Sequence, residues 1–263
     1  MVSLYHSDID HDAAEATGFR FGAKGTHSSR TMMYDEVETL LNFAAGTAST
    51  RDDYVAAIVE SNCLSKPTAA SRRLTSQRVS ELYALDPAVP LFRVFSRLWE
   101  AEDSGHRLLA MLCAVARDPL LAATSSPVIA IEPGREFLRE PVTDALRAVC
   151  GDRFNDDVLA KVVRNCASTW TQSGHLVGRT LKKRQRVEPT PATVAFALFL
   201  GRVAGFMGTS LFASGWTALL DCPAPRARQL AIEAKRMGLI DLRISDNVVE
   251  LNLERLDPET VRS

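Results

Sequence analysis

The stretch that most constrains this chain is its last strong alternation, Ile240 to Leu253, which reads IDLRISDNVVELNL. Asp246-Asn247 supplies a two-residue turn, since both side chains tolerate positive φ. With that turn fixed, Ile244 falls opposite Val249, Leu242 opposite Leu251 and Ile240 opposite Leu253. The other parity sets Arg243 against Glu250 and Asp241 against Asn252. One register therefore gives an apolar face and a polar face with an opposite-charge pair, which predicts an antiparallel hairpin.

The residues before it predict two helices. Proline suits a first helical turn and glycine a helix end, so the pattern marks a helix from about Pro225 to Met237, ended by Gly238. Ala227, Leu230, Ala231, Ala234 and Met237 form its apolar face, and Arg226, Gln229, Glu233 and Arg236 the opposite one. A shorter helix, about Gly215 to Leu220, precedes it with Ser214 as N-cap. Short helix, turn, helix, hairpin is the layout of a winged helix-turn-helix. Such units dock either on DNA or on protein, and the pattern alone leaves both open.

Charge is distributed unevenly along a chain whose formal net charge is -1. Residues 1–60 hold four basic side chains (Arg20, Lys24, Arg30, Arg51) against ten acidic ones, while residues 141–190 hold nine basic against five acidic. A near-neutral total is thus compatible with one face that meets phosphates. Residues 1–30 lack apolar periodicity and read as poorly ordered or extended. Helices are predicted at Tyr34–Ala45 and from Thr50, where Thr50 and Asp53 make a capping box, and at Thr68–Leu85. The third carries Arg72, Arg73 and Arg78, so this region reads either as a second helix-turn-helix or as a helical bundle with a solvated face. Further helices are predicted at Pro90–Glu102, His106–Arg117, Arg135–Val149 and Asp156–Thr171, with Ser125–Gly134 as a loop.

Arg179, Lys182, Lys183, Arg184 and Arg186 form a basic run without an acid among them. It suits a phosphate backbone or a solvated loop. Thr193–Leu211 is very apolar and is predicted to be one helix. Arg202 in its centre and Gly201, Gly205 and Gly208 argue for a buried helix rather than a membrane span, and no membrane insertion is expected.

Catalytic patterns are missing from the sequence. His6, His11, His27, His106 and His175 are dispersed, none at metal-ligand spacing with another His or Cys. The GAKGT of Gly22–Thr26 lacks P-loop spacing, and neither GxSxG nor GxGxxG occurs. The chain is therefore expected not to be an enzyme, with no metal, cofactor or catalytic residue. Cys63, Cys113, Cys150, Cys166 and Cys222 make no CxxC pair, and acids at 8, 10 and 12 interrupt any leader, so a reducing cytoplasm is expected.

Several segments together carry a resemblance. They are Lys24-Gly25, the helix DEVETLL, the segment ESNCLSKPTAASRRLTSQRVSEL and the helical RLLAMLCAVARDPLL. The chain resembles the BrxA family of BREX bacteriophage-defence systems over roughly residues 20 to 125, and more loosely at its C-terminal end. Asn62, Leu64, Ser65, Ser71, Arg72, Arg73 and Arg78 stand at positions comparable to that family's pattern. The acidic N-terminal segment and the basic run near Arg179 depart from it. The resemblance implies a mainly helical cytoplasmic accessory protein that binds DNA beside a methyltransferase, an ATPase and a phosphatase-like partner.

The expectations are these. The fold is mainly α, with an N-terminal segment at 1–30, a helical helix-turn-helix-like domain at 31–125, a helical linker with a basic loop at 126–190 and a winged helix at 191–256. The partners are double-stranded DNA and other BREX proteins. The DNA contacts are Arg72, Arg73, Arg78, Arg179, Lys182, Lys183, Arg184, Arg226, Arg228 and Gln229. A protein-docking adaptor and a winged-helix transcription regulator are the alternatives.

Overall fold

The structure, a computed structural model, describes residues 3–245 and 248–258. Its described residues form α-helices joined by short turns, with two small antiparallel sheets. In chain order the helices are α1 His11–Thr17, α2 Tyr34–Ala44, α3 Arg51–Val59, α4 Ala69–Tyr83, α5 Pro90–Ala101, α6 His106–Arg117, α7 Pro119–Ala123, α8 Ser125–Ile129, α9 Arg139–Cys150 and α10 Asp156–Gln172. After β1 Leu176–Val177 and β2 Lys183–Arg184 come α11 Pro191–Val203, α12 Gly215–Ala218 and α13 Ala224–Arg236, then β3 Asp241–Ser245 and β4 Val248–Asn252. The fold is mainly α with a C-terminal hairpin, as the periodicity predicts.

Local chemistry explains most of the boundaries. Thr50 caps α3 and Asp53 bonds back to it, the reciprocal pair predicted from sequence. The hairpin pairs in the predicted register, Leu242 with Leu251, Arg243 with Glu250 and Ile244 with Val249. Leu242 is buried, whereas Arg243, Glu250 and Asn252 are exposed. The Asp246-Asn247 turn lies outside the described residues.

The helix α11 is the hub. Ala192 to Gly201 are all buried, and α11 packs against α5, α6, α12 and α13, so one apolar core runs from the N-terminal helices to the C-terminal ones. Its length corrects the sequence reading. The apolar run does not continue to Leu211, because Gly205 takes φ +90° and a 3-10 turn follows at Gly208–Ala213. Arg202 is consequently exposed near the helix end and is not central. Among the described residues no single helix is long and apolar enough to cross a membrane. Pro191–Val203 and Gly208–Ala218 reach that length only as a pair bent by 119°.

Residues 3–30 also depart from the expectation of a poorly ordered or extended segment. They contain α1 and lie on the hub. Ser3 O accepts from Gly215 N at 3.0 Å, Trp216 Nε1 donates to Leu4 O at 2.8 Å, and His6 N donates to Ala204 O at 2.9 Å. Phe19 and Ala14 are buried. Residues 125–134 differ as well, since α8 forms there with Pro127 inside its first turn, where no helical N–H is lost.

Candidate nucleic-acid interface

The positions of the ten candidate side chains follow from what else each one binds. In α4 the first two arginines point different ways. Arg72 is half-buried and its Nη1 donates to Val59 O at 2.9 Å, so it ends α3. Arg73 is exposed on a cleft between α3 and α4. Arg78 is paired with Glu81 at 2.7 Å. Of the three, Arg73 alone presents its guanidinium to solvent without a partner among the described residues.

The basic run between α10 and α11 is more structured than its composition suggests. Leu176 pairs with Arg184 and Val177 with Lys183, and Glu136 bridges to Lys183 from the segment before α9. Arg179, Lys183 and Arg186 are exposed. Lys182 donates to Thr171 Oγ1 at 2.7 Å. Arg184 corrects the sequence expectation: it is 2 % exposed, and its Nη2 donates to Asp221 Oδ1 at 2.5 Å. A guanidinium in that state is a pin and not a phosphate contact.

The pin has a second half. Asp221 Oδ2 accepts from Val187 N at 3.0 Å, and His175 Nε2 donates to Leu219 O at 2.7 Å. His175 is fully buried. Burial pushes its pKa down to about 4, with the nearby Arg184 charge in the same direction, against the Leu219 bond and Asp221. The strap of residues 175–187 is therefore fastened to the turn between α12 and α13.

Beyond that turn, α13 buries Ala227, Leu230, Ala231 and Ala234. Met237, predicted on this face, is exposed. Arg226 and Gln229 are exposed, and Gln229 reaches Glu233 at 3.4 Å. Arg228 is half-buried over the Phe212 ring, 5.7 Å from its centroid, so it serves packing as well as charge. The first turn of α13 holds no acid and its N-cap, Pro223, makes no side-chain hydrogen bond, which leaves amide donors open at the positive end of the helix.

No protein-family model matches this chain, and no curated protein matches it.

One further array escaped the sequence reading. His27 Nδ1 lies 2.8 Å from Asp118 Oδ2, and His27 Nε2 lies 2.7 Å from Thr169 Oγ1. A carboxylate only accepts, so Nδ1 carries the hydrogen given to Asp118 and Nε2 accepts from the Thr169 hydroxyl. Thr169 Oγ1 accepts in turn from Met32 N at 2.8 Å. Hydroxyl, imidazole and carboxylate in series form the arrangement used by hydrolases, yet His27, Asp118 and Thr169 are 0, 1 and 0 % exposed. No substrate reaches them in this packing, so they clamp the N-terminal segment between α7 and α10. Gly25 completes the clamp, since a Cβ there would stand 2.0 Å from Asp118 Oδ1. Only the GAKGT of Gly22–Thr26 hints at this in the sequence, as a glycine turn. Among the described residues no group of three or more His, Cys, Asp or Glu side chains is placed to hold a metal ion.

Proposed function

We propose that this chain is a non-catalytic DNA-binding accessory protein of a BREX-type phage-defence system, with other BREX proteins as its protein partners and the cytoplasm as its place of action. The α12–turn–α13–hairpin order is read here as a winged helix. The observation that carries the reading is the fastening of the basic strap to the turn before α13 through Arg184–Asp221 and His175–Leu219. It ties the strap that carries Arg179, Lys183 and Arg186 to the turn that leads into Arg226 and the first amides of α13, which supports reading them as one surface. Exposed arginines and lysines beside a helix N-terminus suit phosphate groups and carry little sequence information. Glu233, half-buried farther along α13, repels phosphate, so contact falls on the first two turns. The resemblance to BrxA proteins supplies the defence setting.

Titration of a labelled duplex at several salt concentrations tests this. Affinity falls steeply with salt, and Arg226→Ala lowers the slope of log affinity on log salt by about one. Lys183→Ala does the same. Identical slopes for wild type and both variants would remove the interface from this surface. A second reading has its own support: Val177, Leu181, Ile232 and Met237 are exposed apolar side chains on the same elements. Weak duplex binding by wild type, with no change of slope, favours that protein-docking adaptor. A transcription regulator uses the same residues and differs by a strong preference among duplex sequences.

A further inference from the structure

A second positively charged site lies on other elements, between α3 and α4. Arg20, Arg51, Arg73 and Arg117 all line one open cleft of about 550 Å³ between α3 and α4. They come from four separate segments: the turn after α1, the first residue of α3, the second turn of α4 and the last residue of α6. Nothing in the sequence spacing gathers them, but the fold does.

Two of them are held side by side. Arg117 Nε donates to Glu81 O at 2.9 Å and its Nη1 to Gly18 O at 2.5 Å, while Arg20 N donates to Ala116 O at 3.1 Å. Burial depresses the Arg117 pKa, and the charge of Arg20 adds to that. Arg51 occupies a first helical turn, where the macrodipole disfavours a cation. Arg20, Arg51 and Arg73 make no ion pair among the described residues. The two acids on the cleft are already engaged. Glu81 accepts from Arg78 at 2.7 Å, Thr26 at 2.8 Å and Gln77 at 3.0 Å, and Asp86 Oδ1 accepts from Ala88 N at 2.9 Å. Four guanidinium groups share the cleft with two carboxylates, of which Glu81 is already paired with Arg78, so positive charge is in excess there.

We propose that this cleft is a nucleotide site, with the arginines on the phosphates and the apolar wall of Val55, Val59 and Val89 against the base and sugar. Planar guanidinium forks match phosphate oxygens in pairs. The hydroxyls of Ser76 and Ser80 add donors on the same cleft. The volume lies within the range of about 300–1,000 Å³ usual for small-ligand pockets. The phosphates can belong to a free nucleotide or to the 5′ end of a strand. Apart from Arg73, which the sequence also offered as a DNA contact, the site shares no residue with the DNA reading, and none with α13 or its strap, so Arg226→Ala and Lys183→Ala test that reading without touching it.

The test uses the full chain and a methylanthraniloyl-labelled ATP followed by fluorescence. Binding saturates and is displaced by pyrophosphate. Arg51→Ala/Arg73→Ala, two exposed side chains with no structural bond to lose, weakens it about tenfold or more at unchanged melting temperature. Arg226→Ala leaves it unchanged. A 5′-phosphorylated single strand that competes better than ATP, and better than its 5′-hydroxyl counterpart, identifies the strand end as the ligand; the reverse order identifies free nucleotide. Absence of saturation, wild-type affinity in the double variant, or polyglutamate competing as well as pyrophosphate would each overturn the proposal.

Discussion

Asp118→Ala lowers the unfolding free energy by about 3–5 kcal/mol, the combined scale of several buried donors that each lose their acceptor at about 1–3 kcal/mol. The variant strands His27 Nδ1 and N, and the amides of Leu120 and Leu121, all of which donate to this carboxylate. Each buried donor left without a partner adds its desolvation penalty. For a chain of this size that is a fall of roughly 10 °C in melting temperature. Burial alone would raise the Asp118 pKa, but the adjacent His27 imidazole, two bonds from His27 and the Leu121 amide outweigh it and hold the carboxyl below its usual value. Because the folded pKa is depressed, the stabilisation is complete above the unfolded value of 3.8 and disappears as pH falls through the folded pKa. Urea unfolding followed by circular dichroism at pH 7 and between pH 4 and 2 measures both effects. The acid-side loss should be shallower in Asp118→Ala. A variant within about 1 kcal/mol of wild type at pH 7 would show that the clamp contributes little.

What the sequence made legible depended on whether the decisive contacts repeat at a fixed spacing. The hairpin register follows from alternation, because a slip by one residue would bury Arg243 and Glu250 and expose Leu242 and Leu251. The helices α2 to α6 follow from the 3.6 period and from caps such as Thr50. The N-terminal segment is opaque in sequence because its anchors follow no helical or strand period: Ser3 O, Leu4 O and His6 N bond through the backbone, and Tyr5, Phe19 and His27 pack side chains at irregular spacing. The place of Arg202 near a helix end has a local cause, since Gly205 stops α11 at a position where an added Cβ would press on His6 and Ile9 of that same segment. In sequence Arg184 is indistinguishable as a phosphate contact from the other four basic residues of its run. Its pairing with Asp221, 37 residues away, is set by tertiary structure alone. The four arginines of the N-terminal cleft and the His27–Asp118–Thr169 clamp are likewise brought together from well-separated parts of the chain. One hint was available: Arg51 opens a helix, where an acid is the usual occupant.

His175→Gln should remove a pH dependence that wild type shows between about pH 6.5 and pH 4. In the folded protein the imidazole is buried, donates through Nε2 to Leu219 O and has Ser173 Oγ 2.8 Å from Nδ1. Burial first, then the Arg184 charge, bring its pKa down from 6.5 to about 4. Below pH 6.5 the unfolded chain takes a proton that the folded chain refuses, so folding loses free energy as pH drops, and the loss levels off once the folded form also protonates near pH 4. A shift of that size corresponds to about 3 kcal/mol over the whole window. Glutamine does not titrate, and its amide can still donate to Leu219 O, so the variant should lose much less stability across the same window. The other histidines are common to both proteins and cancel in the difference. Urea midpoints at pH 7, 5.5 and 4.5 decide the matter, and parallel losses in the two proteins would sink it. The window lies above that of Asp118, so the two effects separate on one acid titration. The same bond fastens the basic strap to the turn before α13. If DNA contact depends on that fastening, wild-type affinity at fixed salt should weaken only as pH approaches 4, where the buried imidazole takes its proton, while His175→Gln holds its affinity. Equal weakening of both proteins would mean that the strap's position is set by Arg184 and Asp221 without help from the histidine.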